Sequence, residues 1–319
     1  MPLRLTLFAR SSPVSILDPS RPILVYLANG VQGRAVVRAA LRRNLRVRAL
    51  VRDPARAAAL AGSGVELVQG DLHDAASLRR VSAGLAHAVL QIPTGPAQVM
   101  GSAAANALAA ASACGFESLI LKLASASRPS PCPEPSFVAS YAVEDLVRRS
   151  GLPFAIVRPT LYLDNLLKPS ARKDIAEAGL FAPPIPAAQR IAWTSADDCA
   201  EAALTLLERG AYGGDHRLAG PESVTGDTFA ARVAAGLGRP LVYRAQSLEA
   251  FEREIDAAMG AGSGSVVASK FRYFAGHPEE AQSILADPFA PRPGLEGFRP
   301  TGITEWVRAH RQALLGTAG

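Results

Sequence analysis

From residue 22 the chain alternates between short apolar runs and longer stretches with helical spacing. Residues 23–27, 47–51, 65–69, 87–92, 118–123 and 154–158 read as strands. Helices are expected over 34–43, from Asp53 onward, over 75–83 and 98–113, and in the segment ending near Ser150 and Gly151. A strand with no polar alternation has to be buried on both faces, which requires a parallel sheet with helices packed on either side. Six such units in unbroken succession predict a doubly wound α/β sheet rather than a barrel. Asp53 followed by Pro54 is an N-cap and first-turn pair, and Gly115 stands where a helix would end in a left-handed residue.

Composition narrows the partners. The 319 residues are 49% hydrophobic, 19% charged and 6% aromatic, with a formal charge of +6. A disordered chain would be less apolar. No apolar run approaches the ~20 residues that cross a bilayer, so no membrane partner is expected. Cys114, Cys132 and Cys199 are widely spaced without CxxC, and the five histidines form no HxxxH or HExxH pattern. Neither a disulfide framework nor a metal site is expected, and a reducing, cytoplasmic setting fits. The positive charge is almost all arginine; the lysines are Lys122, Lys168, Lys173 and Lys270. The arginines are interleaved with Asp and Glu, which argues against nucleic acid and favours an anionic small molecule.

The window ILVYLANGVQGR carries the most chemistry. Gly30 and Gly33 lie between the first strand and its helix, where glycine lets backbone N–H groups approach a pyrophosphate and lets helix and strand touch. The helix N-terminus then faces the anion with its partial positive charge. Leu27 occupies the position of the first glycine of this motif. The end of the second strand carries Arg52 rather than the carboxylate that holds a ribose diol. Asp53 is accounted for as a helix cap, so Arg52, with Arg56 one turn on, is the candidate reader of a 2′-phosphate. NADP(H) is expected in preference to NAD(H).

The stretches ILVYLANGVQGRAVVRAAL, RVRALVRDPARAAAL, VELVQGDLHD, SGLPFAIVRPTLYLDNLL, AWTSADDCAEAALTLL and LAGPESVTGDTFA follow one another from residue 23 to about 240. In that order they resemble the NmrA-like family of atypical short-chain dehydrogenase/reductase proteins, and EWVRAHRQALL looks like the family's C-terminal helix. The resemblance implies an NAD(P)-binding Rossmann domain over 21–158 after an N-terminal extension of 1–20. A smaller, less regular α/β substrate-binding part over 159–319 would follow, with some elements returning to the sheet. It also assigns residues. Gly30 and Gly33, with Leu27, Asn29, Val31 and Gln32 beside them, match the dinucleotide turn, and Arg52 matches the phosphate reader. Asp71 and Leu72 match the segment against adenine; Ile92, Pro93 and Thr94 match the loop beside the nicotinamide ribose. Pro159, Tyr162 and Asn165 match the RPxxYxxN segment bordering the substrate pocket. Asp198 matches the aspartate that starts a helix linking the two parts, where a helix N-terminal carboxylate is an equal reading.

Reductases of this type carry a lysine four residues before a glutamate on the helix after the fifth strand. With Glu144 as that glutamate, the position holds Ser140, and YxxxK fails because Asp145 follows Tyr141. Tyr141 and Ser125, the latter at the end of the fifth strand, are the remaining catalytic candidates; Lys122 lies inside that strand with its direction unread. Hydride transfer does not strictly need a protein acid. Two readings follow: an NADPH-dependent reductase of a small quinone-like, enone or carbonyl substrate, or a non-catalytic NADP(H) sensor docking on a partner protein. A homodimer is compatible with either. The GAGSGS stretch from Gly260 reads as a flexible loop or lid, His216 as a surface residue in a turn, and Trp193 and Trp306 as packing residues.

Overall fold

The computed structural model describes residues 17–316, so most of the expected N-terminal extension lies outside the described residues. The strands are β1 (Ile23–Val25), β2 (Val47–Val51), β3 (Val65–Gln69), β4 (His87–Leu90) and β5 (Ser118–Lys122). They continue with β6 (Phe154–Pro159), β7 (Leu180–Phe181), β8 (Asp215–Leu218) and β9 (Val242–Tyr243). Seven form one parallel sheet in the order β3-β2-β1-β4-β5-β6-β8, and β7 pairs with β9. The helices are α1 (Val31–Arg42), α2 (Ala75–Ser82), α3 (Ala97–Ala113), α4 (Pro135–Arg149), α5 (Pro169–Ala178) and α6 (Ala196–Glu208). After them come α7 (Gly226–Leu237), α8 (Leu248–Met259), α9 (Ser263–Gly276), α10 (Pro278–Leu285), α11 (Ile303–Ala309) and α12 (Arg311–Leu315).

Side-chain alternation sorts the two faces of the sheet. Ile23, Val25, Val89 and Ile120 join the cluster under α1 and α6, while Leu24, Leu90, Leu119 and Leu121 join the one under α2, α3 and α4. β1 lies between β2 and β4, with Leu24 opposite Ala88. The order of strands reverses between β1 and β4, and their carboxyl ends therefore open a crevice. A third apolar cluster, built around Trp193, Phe229, Trp306 and Val307, sits beside it. Trp193 packs at a tilt on Phe229 with ring centroids 4.5 Å apart, and Trp306 stacks on His310 at 4.0 Å.

Four local expectations are corrected. β1 ends at Val25, two residues early, because the chain already turns at Tyr26. The segment after Asp53 is a 3-10 helix over Ala55–Leu60, although Asp53 Oδ1 does accept from the Ala55 N–H at 3.0 Å. His216 is buried in β8, not in a surface turn, because this strand closes the sheet edge with its His216 and Leu218 side chains inward. The GAGSGS stretch is the joint of a helical hairpin, not a loose lid. Its Gly264 lies in the first turn of α9, where a Cβ would come 2.2 Å from the Glu252 carbonyl oxygen on α8.

Candidate functional site

The chain leaves β1 through a turn held to both neighbouring strands: Tyr26 N–H donates to Val89 O at 3.2 Å and Ala28 N–H to Leu50 O at 3.2 Å. Leu27 has φ of 51°, the left-handed conformation that glycine adopts freely. A leucine there stores about 1–2 kcal/mol of backbone strain. Gly30 then caps α1 through its backbone alone, with no side-chain cap and no acidic residue in the first turn. The first N–H groups of α1 are left facing the crevice, an arrangement suited to an anion. Gly33 is the point of closest approach: a Cβ there would lie 2.1 Å from Leu27 O. Arg34 Nε, donating to Asn29 O at 2.9 Å, pins the turn from outside.

A groove of about 700 Å³ runs from this turn across the ends of β1, β2 and β3. Leu27, Asn29, Arg52, Asp71, Leu72, Ile92, Pro93 and Thr94 all line it, as does Arg56. Arg52 is exposed at its far end and has no ion-pair partner among the described residues, whereas Arg56 reaches Asp53 at 3.4 Å. The groove continues into a chamber of about 270 Å³ lined by Gly30, Val31, Gln32, Gly33, Gln91, Lys122 and Ala124. A third space, of about 190 Å³, shares Gln32 and Ala124 with it and adds Ser125, Thr160, Tyr162, Asn165 and Lys270.

At the junction of these spaces lies a polar cluster that sequence reasoning missed. Lys122, two residues after Ile120 in β5, points to the α1 and α6 side and is 2% exposed. Its Nζ donates to Gln32 Oε1 at 2.5 Å and to the Tyr162 hydroxyl at 3.3 Å, and Tyr162 donates to the same Gln32 oxygen at 3.0 Å. Burial lowers the Lys122 pKa from 10.5 to about 8, against the opposing pull of Cys199, Asp164 and Asp197. Burial likewise holds the Tyr162 phenol well above its ordinary value. An ammonium that can give up its proton near neutrality therefore touches a phenol that borders the inner chamber. The signal in the sequence was a lone lysine ending an otherwise apolar strand.

The structure does not bring Tyr141, Ser140 or Pro159 to these spaces. Tyr141 is 37% exposed on the outer face of α4, and Ser140 Oγ is turned back onto Ser136 O of its own helix at 2.9 Å. Glu144, on the inner face of α4, is buried and takes Arg158 Nε at 2.7 Å; Arg158 and Arg148 also reach Asp215. This carboxylate locks α4 to β6 and β8. Pro159 is buried at the end of β6, opposite Leu218. Asp198 accepts from the Thr301 N–H and hydroxyl, tying the start of α6 to the segment before α11. Among the described residues no group of His, Cys, Asp or Glu could hold a metal ion, and no helix is long and apolar enough to cross a membrane.

A doubly wound parallel sheet with a glycine turn at its point of strand reversal defines a Rossmann-like α/β protein. The chain belongs to the NmrA-like family, whose pattern matches residues 19–296. It is 27% identical over 295 residues to an NAD(P)H azoreductase of Xenophilus azovorans, covering 92% of this chain and 99% of that protein. It is 33% identical over 230 residues to a (4-alkanoyl-5-oxo-2,5-dihydrofuran-3-yl)methyl phosphate reductase of Streptomyces griseus, covering 72% and 78% of the two chains. Its fold is similar to that of the Citrobacter sp. triphenylmethane reductase complexed with NADP(H), with a TM-score of 0.71 at 21% identity over 90% and 99% of the chains.

Proposed function

We propose that this chain binds NADP(H) along the groove and reduces a small quinone-like, enone or carbonyl acceptor held in the chamber beside Ser125, Tyr162 and Asn165. The observation that carries the reading is Gln32. This side chain stands in the first turn of the helix that follows the phosphate turn, lines both the cofactor end and the acceptor end, and gathers Lys122 and Tyr162. The residues fit a dinucleotide: a helix start without a side-chain cap, a glycine that lets α1 pack directly on the Leu27 turn, and an arginine at the 2′ end. Relatives named as NAD(P)H-dependent or phosphate-ester reductases support the same class.

A bound nicotinamide cofactor supplies the hydride. The chain's own work is positioning and proton management. Backbone N–H groups at the start of α1 receive the pyrophosphate, and Arg52 pairs with the 2′-phosphate. In this reading Ser125 and Tyr162, which line the chamber, donate to an acceptor oxygen, and Lys122 Nζ restores the proton that the Tyr162 hydroxyl gives up. Lys122 thus supplies from β5 the cation that the family's reductases take from α4.

The test is steady-state oxidation of NADPH with menadione, an enone and an aldehyde as acceptors, beside calorimetric binding of NADPH and NADH. Turnover with at least one acceptor and tighter NADPH binding are expected. Tight NADPH binding with no turnover on any acceptor would overturn the reductase reading in favour of a sensor. Equal affinity for the two cofactors would overturn the role of Arg52.

A further inference from the structure

The proposed reaction uses the groove, the inner chamber and the space that holds Tyr162 and Asn165, and leaves a further space of about 320 Å³ without a role. Its two walls come from different parts of the fold. One is the loop after β7, through Pro184, Ile185 and Pro186; the other is formed by Phe271, Phe274 and Ala275 of α9 and Leu285 of α10. Phe274 and Leu285 also line the chamber of Tyr162 and Asn165, so the two spaces meet at these side chains.

No charged residue lines this space, and the loop offers it little polar backbone. Proline has no N–H to donate. The carbonyl oxygens of Pro183, Ile185, Pro186 and Ala187 already accept, from the Gln246 N–H at 3.1 Å, the Tyr243 hydroxyl at 2.9 Å, the Gln189 N–H at 3.0 Å and the Gly226 N–H at 2.7 Å. Gln189 Nε2 donates to Arg190 O at 2.9 Å, which leaves Gln282 as the remaining polar side chain on the walls. The aromatic wall is held from behind. Phe274 lies against buried Phe137 with ring centroids 5.6 Å apart, and Phe271 meets Phe251 edge-on at 5.5 Å. A space whose walls are set before anything enters, and which has little to hydrogen-bond, suits an uncharged apolar group. An apolar cavity of about 150 Å³ holds a benzene molecule, so this volume admits a ring or a short chain.

We infer that this space is a second subsite for the acceptor, taking an uncharged apolar extension of a molecule whose conjugated carbonyl lies beside Tyr162. The inference rests on the reductase reading and narrows its substrate class to a two-part acceptor, with a polar reacting end and an apolar tail. The tail crosses from one space to the other at Phe274 and Leu285. Affinity then comes from apolar area removed from water in the outer space, while the reacting end is oriented in the inner one.

The test measures, by calorimetry, binding of 2-alkyl-1,4-naphthoquinones from methyl to hexyl to the full chain with NADP+ present. Each buried methylene should tighten binding about threefold until the space is full. Ala275 and Ala188 line the space from opposite walls, are exposed, and do not line the chamber of Tyr162. Filling the space from either wall, by Ala275→Trp or Ala188→Trp, should abolish the gain with chain length and leave the affinity for the methyl compound unchanged. That unchanged affinity also reports that the chamber has folded. Equal affinity along the series, no binding of any member, or a gain that survives in both variants would each overturn the inference. So would a tryptophan variant that alters the oligomeric state and leaves the affinities alone, because the space would then belong to a second copy of the chain. Chain-length-dependent binding without NADPH oxidation strikes only the reductase reading, whereas oxidation whose KM ignores chain length strikes only the subsite.

Discussion

Replacing Lys122 with methionine separates a structural lysine from a working one. A buried ammonium whose pKa is held at about 8 instead of 10.5 costs the folded state about 3 kcal/mol at neutral pH. The sign follows from the direction of the shift. Below pH 8 both folded and unfolded chains carry the charge and the penalty is present in full; between 8 and 10.5 the folded chain releases its proton first and the penalty disappears. Lys122→Met removes the penalty but also one hydrogen-bond partner each from Gln32 and Tyr162. Each loss costs about 1 kcal/mol, and the two groups keep their bond to one another. The balance is a net gain of about 1 kcal/mol at neutral pH, shrinking as the pH rises past 8. Denaturant titration of both proteins at neutral and alkaline pH measures it. NADPH oxidation should meanwhile fall about 100-fold or more, with NADPH affinity little changed. In the unaltered protein turnover should decline above pH 8, as the lysine loses the proton it supplies. A destabilised Lys122→Met protein, or a gain in stability that persists at alkaline pH, refutes the argument.

Two further outcomes bear on the remaining assignments. Arg52→Ala should weaken NADPH about tenfold or more by calorimetry and leave NADH unchanged, because its exposed guanidinium has no ion-pair partner to lose among the described residues. Tyr141→Phe should change turnover by no more than about twofold, since this phenol faces solvent on α4; a large loss would return Tyr141 to the site.

The parts of the fold that could be read from sequence were those whose elements carry a run of apolar residues or a helical apolar spacing. β2 and β3 have the limits expected of them, and α2 and α3 lie within a residue of theirs. β8 escaped because DHRL has none of that signature. As the sheet edge it turns Asp215 to Arg148 and Arg158 and Arg217 to the Ile284 and Asp287 carbonyls, so these polar side chains bond within the fold rather than to solvent. The hairpin of α8 and α9 escaped for a related reason: Gly260 and Gly262 supply the positive-φ turn, but Gly264 is a contact glycine against Glu252, which spacing alone does not show. Within the site, the groove residues could be read because each lies at the end of a strand. Lys122 could not, because its meaning depends on Gln32 and Tyr162, one lying 90 and the other 40 residues away along the chain.

The same contrast explains the helix that misled. Glu144 and Ser140 share the inner face of α4, and in a chain with a lysine at 140 that face would deliver a cation toward the cleft. Here Glu144 is fully buried against Arg158 and Arg148, so the inner face of α4 is already committed to holding β6 and β8. A lysine at Ser140 would lie one turn from Glu144 on the same helix. Lys122 comes instead from the strand, on the opposite side of the sheet from α4, where Gln32 and Tyr162 are its acceptors and no carboxylate pairs with it among the described residues. An unpaired buried lysine keeps a lowered pKa, whereas one paired with Glu144 would have its pKa raised. In the proposed reaction, this position on β5, away from any pairing carboxylate, is what keeps the lysine's proton available.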